Sequence, residues 1–193
     1  MSVGDFINYS MLLLGQKQYE SAMCLAMNAL DATAGREYPK LAGKGKVGER
    51  CRRFVRDHYD ILTSVGFGGA IYATPGAKLK MPDPRTGEIK SLEEILYGLR
   101  CELTHRTALP KDAFFNEQAV YNMKTSLGFS IPAHLVYAVI LAVVGAKTNI
   151  GETSNADMGL IIRDQKIPIA ECWGCKEKIL SLLGMPSGPG NGA

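Results

Sequence analysis

The fold of this chain is set by one stretch, residues 91–106, which reads SLEEILYGLRCELTHR. Its leucines recur every three or four residues, at Leu92, Leu96, Leu99 and Leu103. That spacing places the four side chains on one face of an α-helix. Ser91, followed by Glu94 three residues later, is typical of a capping box at a helix N-terminus. The stretch therefore predicts an amphipathic helix that begins at Ser91 and buries a leucine stripe.

Further helices and short strands are predicted on both sides of this helix. Apolar residues at helical spacing predict helices over about Gln16 to Ala34, Val47 to Val65, Pro132 to Ala146 and Glu171 to Leu183. Glycines and prolines make residues 66–90 a long loop, with a hairpin near Lys78 to Ile89. Alternating residues predict one or two short strands between Tyr121 and Ile131, and a small hairpin over Gly159 to Ala170.

These elements together predict a mainly α fold, a helical bundle of four to five helices with a small late β element. We expect a single domain over residues 1–184 with its core at about 16–146. Residues 185–193 are rich in glycine and proline and are expected to form a flexible tail.

Composition is that of a globular protein with an uneven charge. The chain has 193 residues, of which 46% are hydrophobic and 21% charged, and its net charge is +3. These proportions exclude an intrinsically disordered chain. Eight lysines and arginines and only two glutamates lie between Arg36 and Arg56, a local net charge of +6. Such a segment suits a polyanionic partner, although a solvated helix face has the same composition.

Cysteine number and apolar runs predict the compartment. Five cysteines is an odd number, which favours reduced thiols in a cytoplasmic protein. The run Met11 to Leu14 is too short for a signal peptide. The run Leu135 to Gly145 is shorter than the ~20 residues that a membrane span needs. We therefore expect no membrane partner and a cytoplasmic location.

The helix at residues 91–106 also carries the candidate functional residues, Arg100 and His105. Both lie off the leucine stripe and close to the end of the helix. Arginine binds phosphate through a planar fork of donors, and histidine exchanges a proton near neutral pH. Together they have the chemistry to cleave RNA without a metal. Arg52 and Arg53 precede His58 at similar spacing, but His58 lies on an apolar stripe and is expected to be a core residue.

Helix geometry predicts how Arg100 and His105 lie relative to each other. Five residues of α-helix rise about 7.5 Å and leave the two side chains about 140° apart around the axis. On a straight helix they cannot both contact one phosphate unless the last turn unwinds. The alternative is a two-fold dimer, which sets identical helices side by side so that the Arg100–His105 pairs of two chains face each other across the axis. The spacing therefore predicts a site composed from two chains.

The stretch Leu99 to His105 resembles the Arg-x4–6-His motif of HEPN domains (higher eukaryotes and prokaryotes nucleotide-binding). The resemblance covers about Gln16 to Ala146. It implies a small helical bundle, often dimeric, that acts as a metal-independent endoribonuclease without a cofactor, in toxin–antitoxin or defence systems. Arg100 would hold the phosphate while the 2′-hydroxyl attacks, and His105 would act as general base or general acid. The products would be a 2′,3′-cyclic phosphate and a 5′-hydroxyl.

The same resemblance implies how the substrate and partners would be bound. Thr104 is a candidate hydrogen-bond donor to a phosphate oxygen, although an outward threonine at a helix end is also typical of a cap. The basic helix would bind the RNA backbone through Arg50, Arg52, Arg53 and Arg56. RNA, a second copy of the chain and an antitoxin or other regulatory protein are the expected partners.

Two alternatives compete with the nuclease. In HEPN domains the arginine is often followed by Asn, Asp or His, whereas here Cys101 follows it. This difference motivates a non-catalytic module that binds nucleotide or RNA, or that mediates dimerisation. The second alternative is a structural role, in which Arg100 pairs with a buried acid and His105 caps its helix. The pair Cys172 and Cys175 lacks the two further ligands that a zinc site needs, and is expected to be two thiols at the start of a short helix.

Overall fold

A computed structural model describes residues 1–41, 43, 45–67, 79–83, 85–106, 108–109, 113–117 and 129–185. In this part of the chain the α-helices are α1 (Val3–Gly15), α2 (Tyr19–Glu37), α3 (Val47–Asp57), α4 (Tyr59–Gly66), α5 (Leu92–His105), α6 (His134–Gly145) and α7 (Lys176–Leu182). Three 3₁₀ turns cover Pro39–Leu41, Lys147–Asn149 and Ile169–Glu171. The prediction of a mainly helical fold is confirmed. The tail at 186–193, and the part of the long loop at 68–78, lie outside the described residues.

The described strands form three separate pairs. Strand β1 (Lys80–Pro82) runs antiparallel to β2 (Ile89–Ser91), and β5 (Gly159–Ile162) runs antiparallel to β6 (Gln165–Pro168). Both predicted hairpins are thus confirmed. Strand β3 (Ala113–Asn116) runs parallel to β4 (Phe129–Pro132), and the rest of the predicted strand region lies outside the described residues. We expected the β structure to be a small element late in the chain. The pairs β1–β2 and β3–β4 instead lie before α6.

Helix α5 forms as its sequence predicts. Ser91 and Glu94 make a reciprocal capping box at its start. The four leucines of the stripe are each at most 1% exposed. Helix α5 contacts α2 and α3, and its leucine stripe therefore packs towards these two helices. Of the candidate functional residues, His105 is exposed at the end of α5, whereas Arg100 lies at the edge of the contact with α2 and is 13% exposed.

The core is wider than the predicted 16–146. Helix α1 begins with a capping box between Ser2 and Asp5, and buries Val3 and Ile7 in the same core as the other helices. At the other end, Ile179 of α7 is also fully buried there. Helix α6 is buried on nearly every side and contacts α2, α4 and α7. Since its apolar residues do not form a stripe, periodicity alone does not reveal which helices surround it.

The predicted helix over residues 47–65 is divided in two. Helix α3 ends at Asp57, and His58 leaves the helical conformation with φ −115° and ψ 21° before α4 begins. The His58 ring is 4% exposed and stacks on Phe54 at a centroid distance of 4.3 Å. Its Nε2 lies 3.6 Å from the Glu37 carboxylate. The expectation that His58 is a core residue is confirmed, and its burial against Phe54 accompanies the break in the helix.

A buried carboxylate fixes the β1–β2 hairpin against α5. The Asp83 side chain is fully buried and accepts hydrogen bonds from Arg85 and Lys90. The Arg85 guanidinium lies on α5 at Gly98, where a Cβ atom would collide with it. Burial alone would raise the pKa of Asp83, but the bonds from Arg85 and Lys90 outweigh it and lower the pKa to about 2. The hairpin therefore depends on an ionised Asp83.

We expect Asp83→Asn to change the acid sensitivity of the fold. Because the pKa of Asp83 is lowered on folding, its ion pairs stabilise the protein above the unfolded value of 3.8, and this contribution is lost as the pH falls towards 2. The difference in unfolding free energy between wild type and Asp83→Asn should be about 1–2 kcal/mol at pH 6 and should close towards pH 2. Urea denaturation at several pH values measures it. The exposed Asp157→Asn is the control, and a difference that stays constant with pH contradicts the prediction.

Candidate functional site

Arg100 and His105 meet within a single chain. Nη1 of Arg100 lies 3.3 Å from Nε2 of His105. The prediction that the two residues need a second chain to come together is therefore wrong. The 140° separation applies to the Cβ directions, and the long arginine side chain bends across the last turn of α5 to reach the imidazole. His105 itself is exposed.

This contact bears on the roles of the two imidazole nitrogens. A guanidinium has only donors, so Nε2 accepts a hydrogen bond from Arg100 in the tautomer that carries its proton on Nδ1. A basic nitrogen and a permanent cation consequently lie side by side at the end of α5.

The other half of the Arg100 guanidinium is held by Asp31. Nη2 of Arg100 lies 2.9 Å from Oδ2 of Asp31, and Nη2 of Arg50 lies 3.0 Å from Oδ1 of the same carboxylate. Asp31 belongs to α2, Arg50 to α3 and Arg100 to α5. The carboxylate is 22% exposed, and the two arginines are 17% and 13% exposed. One partly buried carboxylate therefore joins three helices and directs Nη1 of Arg100 towards His105.

Sequence reasoning missed Asp31, although a signal was present. Met27 precedes Asp31 by four residues and Ala34 follows it by three, so the three side chains share one face of α2. Met27 and Ala34 are fully buried. A carboxylate between buried apolar neighbours needs a cation as its partner. The sequence does not show which arginine supplies it.

The structure contains the ion pair that the structural alternative predicts. Arg100 is paired with an acid of its own chain, as that alternative predicts. His105 does not cap the helix, because it contacts Arg100 and the C-cap residue of α5 is Arg106. The Arg100 guanidinium contacts Asp31 through Nη2 and, at the same time, His105 through Nη1. Its ion pair with Asp31 therefore does not prevent a contact on the His105 side.

Burial and charge set the protonation states around Arg100. Burial would lower the pKa of Arg100, but the adjacent Asp31 carboxylate raises it above its usual value. Burial, assisted by Asp31, raises the pKa of the Cys51 thiol to about 12. Its Sγ lies 3.6 Å from Asp31. Arg100 therefore stays charged, and Cys51 stays a neutral thiol.

Thr104 uses its hydroxyl hydrogen inside the helix. The hydroxyl donates to the carbonyl oxygen of Arg100, one turn earlier. This bond within the last turn of α5 is the kind of local contact that the cap interpretation predicts. A phosphate oxygen would have to compete with it.

The four candidate arginines of α3 have different surroundings. Arg50 is bound to Asp31, and Arg56 lies 3.9 Å from Glu93. Arg52 lies over the Tyr97 ring at 4.7 Å from its centroid. Arg53 lies over the Tyr38 ring at 4.8 Å and 3.8 Å from the Asp57 carboxylate. Arg50 thus shares the Asp31 carboxylate with Arg100, and Arg52 packs on a ring of α5. Arg53 instead contacts Tyr38 and Asp57.

Five of the seven described lysines and arginines between Arg36 and Arg56 have a carboxylate within 4 Å. Besides Arg50, Arg53 and Arg56, the pairs Arg36–Glu152 and Lys46–Glu49 lie at 2.7 Å and 3.0 Å. Four of the five partners, Asp31, Asp57, Glu93 and Glu152, lie outside this stretch of sequence and partly offset its excess of +6.

Within the described ranges, no group of three or more His, Cys, Asp or Glu side chains lies close enough to hold a metal ion. No helix among those described is long and apolar enough to cross a membrane. The five cysteines form no disulfide, and Cys172 is buried while Cys175 precedes α7 directly. Cys175 thus lies at the start of a short helix as expected, whereas Cys172 lies at the end of the preceding 3₁₀ turn.

These features define a mainly helical protein with an arginine–histidine pair at the end of one helix. Comparison with known proteins adds a family. The family model named Rv1289 matches residues 2–187, and the chain belongs to that family. It is 26% identical over 201 residues to uncharacterised proteins of Mycobacterium tuberculosis and Mycobacterium bovis, covering 95% of this chain and 88% of each relative. No solved structure matches the chain.

We expect Asp31→Asn to lower the free energy of unfolding by about 2 kcal/mol, because it leaves two partly buried arginines without their carboxylate. Arg50→Gln should then cost less in the Asp31→Asn background than in wild type, since it removes one unpaired cation. Urea denaturation of the four proteins in this cycle measures both effects. Asp157→Asn is the exposed control. Additive changes, or an Asp31→Asn variant as stable as wild type, would show that the bridge is unimportant.

Proposed function

We propose that this protein is a metal-independent endoribonuclease of the HEPN type, with Arg100 and His105 as its catalytic residues. The observation that supports this best is the 3.3 Å contact between Nη1 of Arg100 and Nε2 of His105. A phosphate-binding donor and a proton acceptor are the two groups that RNA cleavage through the 2′-hydroxyl requires. His105 is exposed at the end of α5, and Arg100 lies beside it with 13% of its side chain exposed.

The reaction follows from the positions of these two groups. A phosphodiester oxygen takes the Nη1 hydrogen bond, and Nε2 of His105 removes the proton of the neighbouring 2′-hydroxyl. The 2′-oxygen then forms a bond to phosphorus while the bond to the 5′-oxygen breaks. The departing 5′-oxygen is protonated by solvent or by a protonated His105. Arg100 stabilises the additional negative charge on the phosphoryl oxygens.

Asp31 supports this chemistry as a positioning residue. Its two oxygens bind Arg100 and Arg50, and this limits the rotation of the Arg100 guanidinium. An arginine that is already oriented loses less conformational entropy when phosphate binds. The cluster of Asp31, Arg50 and Arg100 keeps a net positive charge of one, which favours an anionic substrate.

The proposal is tested by incubating RNA with the protein in EDTA. Arg100→Lys keeps the charge next to Asp31 but removes the fork, and His105→Asn removes the base. Each should lower the cleavage rate at least ~100-fold, as is typical for losing a general base or an oxyanion-stabilising donor. Products with 2′,3′-cyclic phosphate ends are expected on gels and by mass spectrometry.

The matched control is Arg163→Lys, because Arg163 lies on the β5–β6 turn and bonds Ser64 rather than any group of the site. Its cleavage rate should equal that of wild type. Full activity in the Arg100 and His105 variants, or wild-type protein that cleaves no RNA, would overturn the proposal.

We also propose that the enzyme acts as a homodimer in which each chain carries a whole Arg100–His105 pair. A mixture of Arg100→Ala chains and His105→Ala chains should then remain inactive, since no chain holds both groups. Light scattering establishes the oligomer, and a cleavage assay of the mixture tests the pairing. Recovered activity would instead mean that one site combines residues of two chains.

A second candidate function is a non-catalytic RNA-binding module. It is favoured by the Arg100 side chain, which is only 13% exposed and shares its guanidinium with Asp31. Under this alternative, RNA binds in a salt-dependent manner and is recovered intact. The cleavage assay in EDTA, read together with fluorescence anisotropy, separates the two functions.

A further inference from the structure

A stacked pair of side chains, Arg52 and Tyr97, lies beside the Arg100 site. The Arg52 guanidinium carbon is 4.7 Å from the centre of the Tyr97 ring. Arg52 is on α3 and Tyr97 is on α5, one turn before Cys101. Both side chains are half-buried, so part of the stack remains at the surface.

The surrounding residues hold this stack in place. A Cβ atom at Gly48 would lie 2.9 Å from the Tyr97 ring and 3.2 Å from the Arg52 guanidinium, so glycine makes room for both. The ring is therefore fixed between two helices.

The stack adjoins Arg100 on one side and an open groove on the other. Tyr97 and Arg100 line the same small void, together with Cys51. Arg52 also lines an open groove that runs past the start of α5. Three further cations line this groove beyond the stack, Arg56, Lys80 and Lys90, together with the carboxylates Glu93 and Glu94. Of these, Arg56 lies 3.9 Å from Glu93.

We propose that the Arg52–Tyr97 stack binds the base of an unpaired nucleotide next to the scissile phosphate of RNA. This inference rests on the proposed ribonuclease function and adds a subsite to it. Planar guanidinium and aromatic groups are the surfaces on which single-stranded bases stack. A base within a duplex cannot reach such a surface, so the subsite selects single-stranded RNA. The backbone of the stacked nucleotide would continue into the groove towards Arg56, Lys80 and Lys90.

The test measures binding separately from cleavage. A fluorescent single-stranded RNA with 2′-deoxyribose at the cleaved position cannot undergo 2′-hydroxyl attack, and its affinity is followed by anisotropy. Arg52→Lys keeps the charge but loses the plane, and should weaken binding about tenfold, within the range for one stacked base. Tyr97→Leu should do the same, with thermal unfolding to check its fold. In wild type, one abasic nucleotide beside the cleaved position should cost about tenfold as well.

A double comparison isolates the stack. If the base rests on Arg52, the abasic change should cost less than twofold in Arg52→Lys, because the contact is already lost. Arg163→Lys is the control, since Arg163 lies on the β5–β6 turn and bonds Ser64 rather than a residue of the stack or the groove. Equal abasic costs in wild type and Arg52→Lys, or unchanged affinity in both stack variants, overturn the subsite.

The outcomes also separate this inference from the proposed function. One outcome is that wild type cleaves RNA, that cleavage depends on Arg100 and His105, and that Arg52→Lys binds RNA as tightly as wild type. This result would support the proposed nuclease function and contradict the stacking subsite. If wild type neither binds nor cleaves RNA, both are wrong. Duplex RNA that binds as tightly as single-stranded RNA would contradict the selection for unpaired bases.

Discussion

The candidate site depends on a single partly buried carboxylate, Asp31. Its oxygens accept from Arg50 and Arg100, and these three residues come from three different helices. A charge in this position is unfavourable unless it is paired, so α2, α3 and α5 must keep the relative placement that pairs it. The leucine stripe of α5 supplies the apolar stabilisation but permits small shifts along the helix axis. The ion bridge restricts these shifts, because both arginines must reach the same carboxylate.

The Arg100 guanidinium contacts Asp31 and His105 through different nitrogens, so a structural and a functional interpretation of this residue are compatible. An arginine bound to an acid of its own chain is usually read as structural, and an arginine beside a histidine as functional. Here Nη2 serves Asp31 and Nη1 serves His105. A guanidinium has five donors in a fixed plane, so holding one edge orients the other without occupying it. The structural contact is therefore what makes the contact with His105 well defined.

The sequence predicts those features that depend on local patterns. The capping box and stripe of α5, both hairpins and the burial of His58 follow from spacing and turn residues. Helix α1 and the break at His58 were missed, because the first depends on packing against α2 and the second on how the His58 ring is buried. Asp31 was missed because its partners are distant in sequence. The Arg100–His105 distance was mispredicted because helical angles describe Cβ directions, whereas an arginine side chain is long enough to bend across a turn.

The basic segment shows why local charge in a sequence is a weak guide to a binding surface. Five of its seven described cations have a carboxylate partner, and for Arg36, Arg50 and Arg56 that partner lies elsewhere in the chain, which leaves fewer unpaired charges for a polyanion. An RNA-binding surface here cannot rely on a broad positive field. Recognition must then come from a small number of oriented groups, each fixed by a neighbour: Arg100 by Asp31, and Arg52 by Tyr97. Such a surface attracts a polyanion less strongly at long range. It does distinguish unpaired strands from duplexes, because only unpaired bases can reach these groups.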